Sequence, residues 1–362
     1  MLVGLFPKKY GNDVILSYLE ELDSLVRTYG GETTAVSVQK GDHSHRATYI
    51  GSGKANEVAD KIAENQIDTV VFNDILKSGQ LYTLEKIFQR SNPEIKVLDK
   101  IGLILLIFDN QADTAEAKLQ IKLASLRHMG PRTYGMGYIL SRQGGGIGTR
   151  GIGETNTEIM QRHWRNEIRA IKTKLTKIIK DRQLQIAKRK KAGTVSVSLV
   201  GYTNAGKTSL YNALTGKNKL VENRLFATLD SSIGRLYLPE FKNNLMVSDT
   251  IGFIQNLPPQ LLESFKSTLL ESIHADLILH VIDVSDRLFR EKIEVVEEIL
   301  AELDLQEKNQ IYIFNKADKI TAEIKNQAAL QFAGVPFCFV SAKTGLGLQE
   351  LKGKITGEIK KL

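Results

Sequence analysis

The segment Gly201-Tyr-Thr-Asn-Ala-Gly206-Lys207-Thr208 contains residue types that together can hold a phosphate chain. Its spacing is G-x-x-x-x-G-K-[ST], and it stands between an apolar strand pattern and a helical pattern, as this motif requires. Glycines allow the backbone amides to turn inward, and the positive end of the following helix attracts anions. Lys207 is suited to bind the β- and γ-phosphates, and the Thr208 hydroxyl is suited to coordinate Mg²⁺. The predicted nucleotide contacts here are Gly201, Asn204, Ala205, Gly206, Lys207, Thr208 and Ser209.

A second motif, Asp249-Thr-Ile-Gly252, follows the next apolar strand pattern. Its Asp is suited to hold Mg²⁺ through water, and its Gly amide to contact the γ-phosphate. Between the two motifs, the segment Arg224 to Asp230 offers Thr228 as a ligand of Mg²⁺ and of the γ-phosphate, with Ser231 and Ser232 as alternatives. We predict the catalytic set Lys207, Thr228 and Gly252 and the Mg²⁺ set Thr208, Thr228 and Asp249.

Phe253 stands at the position where many GTPases carry a glutamine that orients the attacking water. An apolar side chain cannot orient a water molecule by hydrogen bonding. The sequence therefore predicts slow hydrolysis by the isolated chain, with a partner or an ion completing the site.

The motif Asn315-Lys316-Ala-Asp318 predicts which base is bound. A carboxylate accepts hydrogen bonds from both the ring N–H and the exocyclic amine of guanine, whereas adenine presents a different arrangement of donors and acceptors. Ser341-Ala342-Lys343 follows the last strand pattern and is expected to close over the base. The predicted base contacts are therefore Asn315, Lys316, Asp318, Ser341, Ala342 and Lys343, and the predicted substrate is GTP.

Two segments that alternate strand and helix flank a helical one, so the fold class is α/β. Residues 1–110 predict a small α/β subdomain with a parallel sheet, and residues 192–362 a doubly wound P-loop domain that binds ligands at the carboxyl ends of its strands. In the first, the predicted strands are Leu2–Phe6, Thr33–Val38, Thr69–Phe72 and Ile95–Leu98, and the predicted helices are Val14–Arg27, Lys54–Asn65 and Leu81–Arg90. In the last, the predicted strands are Val195–Val200, Asn244–Ser248, Leu277–Asp283, Ile311–Phe314 and Phe337–Val340.

The segment Ile50-Gly-Ser-Gly-Lys54 resembles part of a phosphate loop. It lacks the first glycine of that motif, since position 48 is Thr, and its final Ser/Thr, since position 55 is Ala. We expect a tight turn there instead.

Residues 111–191 predict an antiparallel helical hairpin. Glu116–Arg127 places leucines on one face, and a longer helical pattern follows with a narrow apolar seam. The seam residues are Met160, Trp164, Ile168, Ile171, Leu175 and Ile178, and packing is their expected role.

The segment that joins the two helices, residues 130–153, has nine glycines and three arginines, with Tyr134 and Tyr138 between them, and no acidic residue. Exposed amides, cations and stacking rings suit the phosphates and splayed bases of folded RNA. A flexible linker is the alternative, although linkers are usually rich in Gly and Ser alone. The predicted RNA contacts are Arg132, Arg142, Gly144, Gly145, Gly146 and Arg150.

Composition excludes several classes of protein. The net charge of +8 is concentrated in the middle of the chain, where twelve Lys/Arg lie between Arg162 and Lys191 against two acidic residues. Cys338 is the only cysteine, so intramolecular disulfides are excluded and a cysteine metal site is disfavoured. No apolar run approaches the length of a membrane span, and the first residues do not resemble a signal peptide. We expect a cytoplasmic protein that is a monomer when free and has no membrane partner.

With these residues in hand, the chain resembles the HflX-type ribosome-associated GTPases from about Tyr49 to its end. The most discriminating stretch is Ser141-Arg-Gln-Gly-Gly-Gly-Ile-Gly-Thr-Arg-Gly151 with the following Gly153-Glu-Thr155, because GTPases in general lack it. The other shared stretches are Val71-Phe-Asn-Asp74, Gly102-Leu-Ile-Leu105, Leu225-Phe-Ala-Thr-Leu-Asp230, Asp249-Thr-Ile-Gly-Phe-Ile254 and Phe265-Lys-Ser-Thr-Leu269. Phe253 also fits, because the family similarly lacks the catalytic glutamine.

The resemblance implies an N-terminal α/β subdomain, a helical hairpin and a GTPase domain. It also implies binding to the large (50S) ribosomal subunit and its rRNA, stimulation of hydrolysis by ribosomes, and splitting or rescue of stalled ribosomes under stress. Related GTPases use an asparagine at the position of Asn204 to hold K⁺, which implies K⁺ as a second cofactor. The C-terminal domain of some members is expected to be absent, and no phosphate motif here supports the ATP-dependent activity proposed for the N-terminal region of others.

Two alternatives stay open at this point. The chain could be a GTP-gated module that binds RNA or a ribosome-assembly intermediate, in which hydrolysis times release. It could also be a GTPase of membrane transport or RNA modification whose basic hairpin is an ordinary solvated surface. The lack of membrane spans and of cofactor signals weighs against the second alternative.

Overall fold

The computed structural model describes residues 1–128, 156–219, 225–226, 232–240, 245–254, 261 and 269–361, with the side chains at 156 and 157 excepted. The chain forms two compact units. The first comprises Met1–Gln111 and Lys118–Leu175, and the second comprises Ala112–Ala117 and Thr176–Leu362.

The first unit contains a four-stranded parallel sheet of order β2-β1-β3-β4. Its strands are β1 (Leu2–Phe6), β2 (Val36–Lys40), β3 (Thr69–Phe72) and β4 (Lys96–Asp99). The helices are α1 (Asn12–Tyr29), α2 (Ser52–Glu64), α3 (Ser78–Phe88) and α4 (Lys100–Gln111). Strand and helix alternate as predicted, and the parallel α/β class of this part is confirmed.

Helix α4 was not predicted from the sequence. Its residues 101–108 are apolar on every side of the helix, and seven of its twelve residues are buried, so the helix shows no 3.6-residue period. Its first residue, Lys100, is nevertheless charged and buried. The Lys100 ammonium lies 2.6 Å from a Glu21 carboxylate oxygen of α1, and this ion pair offsets the cost of burying both charges.

The prediction of a tight turn at residues 50–54 is wrong in its position. Gly51 is the residue before α2, so Ser52, Gly53 and Lys54 form the first turn of that helix. The turn lies just before, at residues 46–48, where His45 and Tyr49 exchange backbone hydrogen bonds of 2.7 and 3.0 Å.

Two helices form the predicted antiparallel hairpin. Helix α5 covers residues 115–128, and α6 covers Asn156–Lys191. Leu123 of α5 packs with Ile171 and Leu175 of α6. An ion pair joins Lys122 to Glu167 at 2.6 Å, and another joins Glu116 to Arg182 at 3.3 Å. Residue numbers therefore rise along one helix as they fall along the other. Of the predicted seam, Met160 differs, because it is 42% exposed.

The second unit contains a six-stranded sheet of order β10-β9-β8-β5-β7-β6, parallel except at β6. This is the predicted doubly wound class. The strands are β5 (Ser196–Gly201), β6 (Ser232–Leu236), β7 (Leu245–Asp249), β8 (Leu277–Asp283), β9 (Gln310–Asn315) and β10 (Phe337–Phe339). The helices are α7 (Lys207–Thr215), α8 (Leu270–Ile273), α9 (Phe289–Glu302), α10 (Ala322–Gln331) and α11 (Leu348–Ile359).

Strand β6 was missed by the sequence prediction. It runs antiparallel to β7 at the edge of the sheet, and its first residue, Ser232, is in register with Asp249. The strand is short, and only Gly234 and Leu236 in it are buried, so its apolar signal is weak.

Within the second unit, the last turns of α6 pair with α8 through Arg189. The Arg189 guanidinium makes two bonds, of 2.7 and 3.0 Å, to the carboxylate of Glu271 in α8. The Glu271 side chain is only 6% exposed. Because a bidentate pair is geometrically specific, it fixes the orientation of the last turns of α6 against α8 within this unit.

His280 is the buried histidine of β8. It lies between Val200 and Tyr312 in the strand register, and its ring is 5.3 Å from the Tyr312 ring. Among the described residues its Nδ1 has no hydrogen-bond partner. Burial, with a smaller effect from the Lys207 charge, lowers the pKa of His280 to about 3.

We expect this histidine to make folding sensitive to acid. Its pKa in the folded state lies below that of about 6.5 in the unfolded chain, so the unfolded state takes up the proton first as pH falls. Between pH 7 and pH 5 the contribution lost is about 2 kcal/mol. Urea unfolding should show that His280→Leu loses less stability over this range than the wild type. His163→Leu, which removes an exposed histidine of α6, should leave the difference unchanged. An equal loss in all three proteins contradicts the account.

Candidate nucleotide-binding site

The phosphate loop begins at the last residue of β5, Gly201, and ends at Gly206, after which α7 starts with Lys207. Gly206 has φ +89°, and a Cβ on it would lie 2.2 Å from the Asn315 side-chain nitrogen. A Cβ on Gly201, whose φ is +151°, would lie 2.2 Å from the Val281 carbonyl oxygen. Both motif glycines are therefore required by close contacts with neighbouring strands.

Lys207 is held inside this loop. Its ammonium donates hydrogen bonds to the carbonyl oxygens of Gly201 at 3.1 Å and Tyr202 at 2.8 Å. Burial lowers the pKa of Lys207 to about 8, and the nearby Asp249 carboxylate opposes that effect. Burial removes water from this ammonium, so an anion such as a phosphate that takes the place of the water would stabilise its charge.

The two predicted Mg²⁺ ligands that the structure describes lie together. The Thr208 hydroxyl donates to a carboxylate oxygen of Asp249 at 2.9 Å, and Asp249 is fully buried. The Lys219 ammonium lies 3.3 Å from the same oxygen, so this carboxylate already accommodates a cation. A hydroxyl and a carboxylate beside a phosphate loop match the preference of Mg²⁺ for a few protein oxygens completed by phosphates and water.

Phe253 pairs with the phosphate loop through its backbone, and Gly252 lies close to Lys207. Thr203 N–H donates to the Phe253 carbonyl at 2.7 Å, and Phe253 N–H donates to the Gly201 carbonyl at 3.1 Å. A Cβ on Gly252 would lie 2.9 Å from the Lys207 nitrogen. The Phe253 side chain is buried in a core cluster with Val200. It anchors this segment and has no group that could orient water.

Asn315 joins the phosphate loop to the base segment. Its side-chain nitrogen donates to the Ala205 carbonyl at 2.8 Å, and its side-chain oxygen accepts from Ala342 N–H at 3.0 Å. Beside it, Asp318 is exposed, and a hydrogen bond from the buried Ser341 lowers the pKa of its carboxyl group. Asp318 is thus held as an anion that can accept hydrogen bonds.

A cavity of about 690 Å³ lies between the phosphate loop and the base segment. Four predicted nucleotide contacts do not line it: Gly201, Ala205, Lys207 and Thr208. The predicted site residues that line it are Asn204, Gly206, Ser209, Asn315, Lys316, Asp318, Ser341, Ala342 and Lys343. The sequence analysis missed the remaining lining residues, Asn212, Ala213, Gly216, Lys217, Asn218 and Lys319. Most of them belong to the last turn of α7 and the turn after it, and they form no motif whose spacing could have revealed them in the sequence.

Several predicted residues lie outside the described part of the chain. They are Thr228 and Ser231 of the predicted switch and Arg132, Arg142, Gly144, Gly145, Gly146 and Arg150 of the joining segment.

Known families match the chain in three successive parts. Residues 17–109 match the GTP-binding GTPase N-terminal family, residues 111–189 the GTP-binding GTPase middle region, and residues 196–316 the 50S ribosome-binding GTPase family. The GTPase HflX of Caldanaerobacter subterraneus is 43% identical over 94% of this chain and 77% of its own length. The chain belongs to the HflX family of GTPases. The HflX GTPases of Escherichia coli and Methanocaldococcus jannaschii are 37% and 38% identical, each over 82% of its own length and over 97% and 93% of this chain, respectively.

A solved structure supports the same fold. The crystal structure of the SsGBP and GDP complex is 26% identical to this HflX-family chain, with a TM-score of 0.52. The match covers 98% of this chain and 97% of that one.

None of the helices in the described ranges has the length and hydropathy needed to cross a membrane. Within the same ranges, no group of three or more His, Cys, Asp or Glu residues is arranged to hold a metal ion by itself. A Mg²⁺ ion at Asp249 would therefore depend on phosphate oxygens as well.

Proposed function

We propose that this chain binds GTP in the cavity between the phosphate loop and the base segment, hydrolyses it, and uses the cycle to control attachment to the large ribosomal subunit. One observation carries the nucleotide part of the proposal. Residues from three separate motifs, around Gly206, Asp318 and Ser341, line a single cavity, and the Asn315 amide ties their backbones together.

The base end of the cavity is suited to guanine. Asp318 presents a carboxylate held as an anion by Ser341, and guanine offers two adjacent donors to such a group. Adenine would place an acceptor against this carboxylate and leave a polar group without a partner, which costs about 1–3 kcal/mol. Guanine nucleotides are therefore the proposed ligands.

The phosphate end would carry the chemistry. Lys207 and the loop amides would hold the β- and γ-phosphates, while Thr208 and Asp249, with Thr228, would hold Mg²⁺. The bound ion would neutralise charge on the phosphate oxygens. Water attacks the γ-phosphorus, the bond to the β–γ bridging oxygen breaks, and that oxygen leaves with GDP. Gly252, next to Lys207, offers its amide to the γ-phosphate.

Hydrolysis by the chain alone should be slow. The side chain after Gly252 is the buried Phe253, which has no group that could orient water as the glutamine does. Ribosomes are the proposed stimulant, and a K⁺ ion near Asn204 is a second proposed contributor. Asn204 is exposed at the mouth of the cavity, with φ +60°.

The ribosome part of the proposal rests on the family and on the basic middle of the chain. Residues 196–316 match a family described as 50S ribosome-binding GTPases. The Gly- and Arg-rich segment 130–153 and the basic helix α6 have the composition of an rRNA-binding element. We propose three functional parts, residues 1–110, 111–191 and 192–362, in a cytoplasmic chain that is a monomer when free. Splitting or rescue of stalled ribosomes is the proposed outcome.

Co-sedimentation with 50S particles tests the proposed control by nucleotide. We expect the chain to pellet with 50S subunits when it holds a non-hydrolysable GTP analogue and to stay in the supernatant with GDP. A pellet fraction that is equal in both states, or no association in either, removes the ribosome proposal. Binding of free rRNA fragments but not of 50S subunits would favour an assembly factor instead.

The same assay tests the joining segment. Replacing Arg142 and Arg150 together by Ala should weaken 50S association, because each loses contacts to phosphate or base, while GTP affinity stays the same. The matched control replaces Arg46 and Arg90 by Ala, two exposed arginines of the first unit. Unchanged association of the Arg142/Arg150 variant would show that the segment is only a linker.

A further inference from the structure

A carboxylate outside all the sequence motifs lies at the base end of the cavity. Asp283 is the last residue of β8, and one of its carboxylate oxygens, Oδ2, is 2.6 Å from the Lys316 ammonium. Lys316 lines the cavity, and Asp283 does not. We propose that Asp283 is a positioning residue that sets guanine-nucleotide affinity by holding Lys316 along one wall of the base site. The inference rests on the proposed function.

The carboxylate of Asp283 is itself fixed in orientation. Its other oxygen, Oδ1, accepts hydrogen bonds from the Ser285 backbone N–H at 3.1 Å and from the Ser285 hydroxyl at 2.6 Å. One oxygen is therefore bound by the turn that follows β8, and the other is directed to Lys316. The carboxylate has little freedom to rotate away from the ammonium.

Strand pairing places the two residues side by side. Asp283 is in register with Asn315 in the parallel pair β8–β9, and Val284 N–H donates to the Asn315 carbonyl at 3.1 Å. Lys316, the residue after Asn315, therefore lies beside the carboxyl end of β8, where Asp283 is the last residue. Its backbone has φ +61°, in the left-handed region that non-glycine residues seldom adopt. The ion pair and this backbone conformation together fix where the Lys316 side chain starts and where it ends.

A lysine whose backbone and ammonium are both fixed is preorganised for ligand binding. Free lysine side chains lose considerable rotamer entropy when a ligand orders them. With its ammonium bound to Asp283, Lys316 has lost that freedom before the base arrives, and its aliphatic chain can pack on the purine face. Preorganisation of this kind improves affinity by reducing the cost of ordering.

Loss of Asp283 should affect nucleotide affinity in a specific way. Lys316 would contact the face of the ring rather than its hydrogen-bonding edge, so loss of Asp283 should weaken every purine that fits the site by the same factor. GDP and IDP, which differ only by the exocyclic amine, should lose affinity equally. The phosphate end is untouched, so kcat should not change while KM rises.

The test measures GDP and IDP affinity by calorimetry and steady-state hydrolysis for Asp283→Ala. We expect affinity for both nucleotides to fall about fivefold to tenfold, the usual cost of ordering one long side chain. In a Lys316→Ala background, Asp283→Ala should add no further loss. Asp283→Asn keeps the volume of the side chain and should show a smaller loss in the same direction.

The matched control is Asp286→Ala. Asp286 stands on the same turn, accepts from Leu288 N–H at 2.9 Å and pairs with Lys292, but it does not line the cavity. We expect GDP affinity within twofold of the wild type. A wild-type chain that binds no guanine nucleotide would overturn the proposed function together with this inference.

With a wild-type chain that does bind, three results overturn the inference alone. Unchanged GDP affinity in Asp283→Ala and Asp283→Asn is the first. An equal additional loss in the Lys316→Ala background is the second, because Asp283 would then not act through Lys316. A fall in kcat with KM unchanged is the third.

Discussion

The nucleotide site depends on the buried amide of Asn315. Its nitrogen donates to the Ala205 carbonyl in the phosphate loop, and its oxygen accepts from Ala342 N–H in the loop after β10. Asn315 itself is 2% exposed, so neither bond has water as a substitute, and each one left unmade would cost about 1–3 kcal/mol. One side chain thus joins three segments that are far apart in the sequence and sets the distance between the phosphate end and the base end.

The rest of the site follows from this constraint. Parallel strands bring the carboxyl ends of β5, β8 and β9 to one edge of the sheet, where their loops meet. Because the Asn315 amide packs directly on the phosphate loop, residue 206 has no room for a Cβ. The same strand end places Lys316 beside Asp283. The spacing of the phosphate loop from the base segment and the placement of Lys316 therefore both depend on one short stretch of backbone at the end of β9.

Much of this arrangement could be predicted from the sequence, for identifiable reasons. Strands such as β5, β7 and β9 are short apolar runs between turn signals, and the motif residues Gly201, Asp249 and Asn315 stand at their carboxyl ends. Helix α4 and strand β6 were missed because one is apolar on all sides and the other is a weak edge strand. The Asp283–Lys316 and Arg189–Glu271 pairs were also missed, since single charged residues carry no spacing signature. Thr228 and the arginines of segment 130–153 stay predictions.

The most direct test is calorimetric titration of Asn315→Asp with GDP. This substitution keeps the shape of the side chain and the acceptor for Ala342, but replaces the donor that faces the Ala205 carbonyl with an oxygen. The account predicts that GDP affinity falls about 100-fold or more, from loss of the bond and repulsion between the two oxygens. Asn326→Asp, at an exposed position of α10, should bind as the wild type does. GDP binding by Asn315→Asp that equals the wild type would contradict the claim that this amide holds the site together.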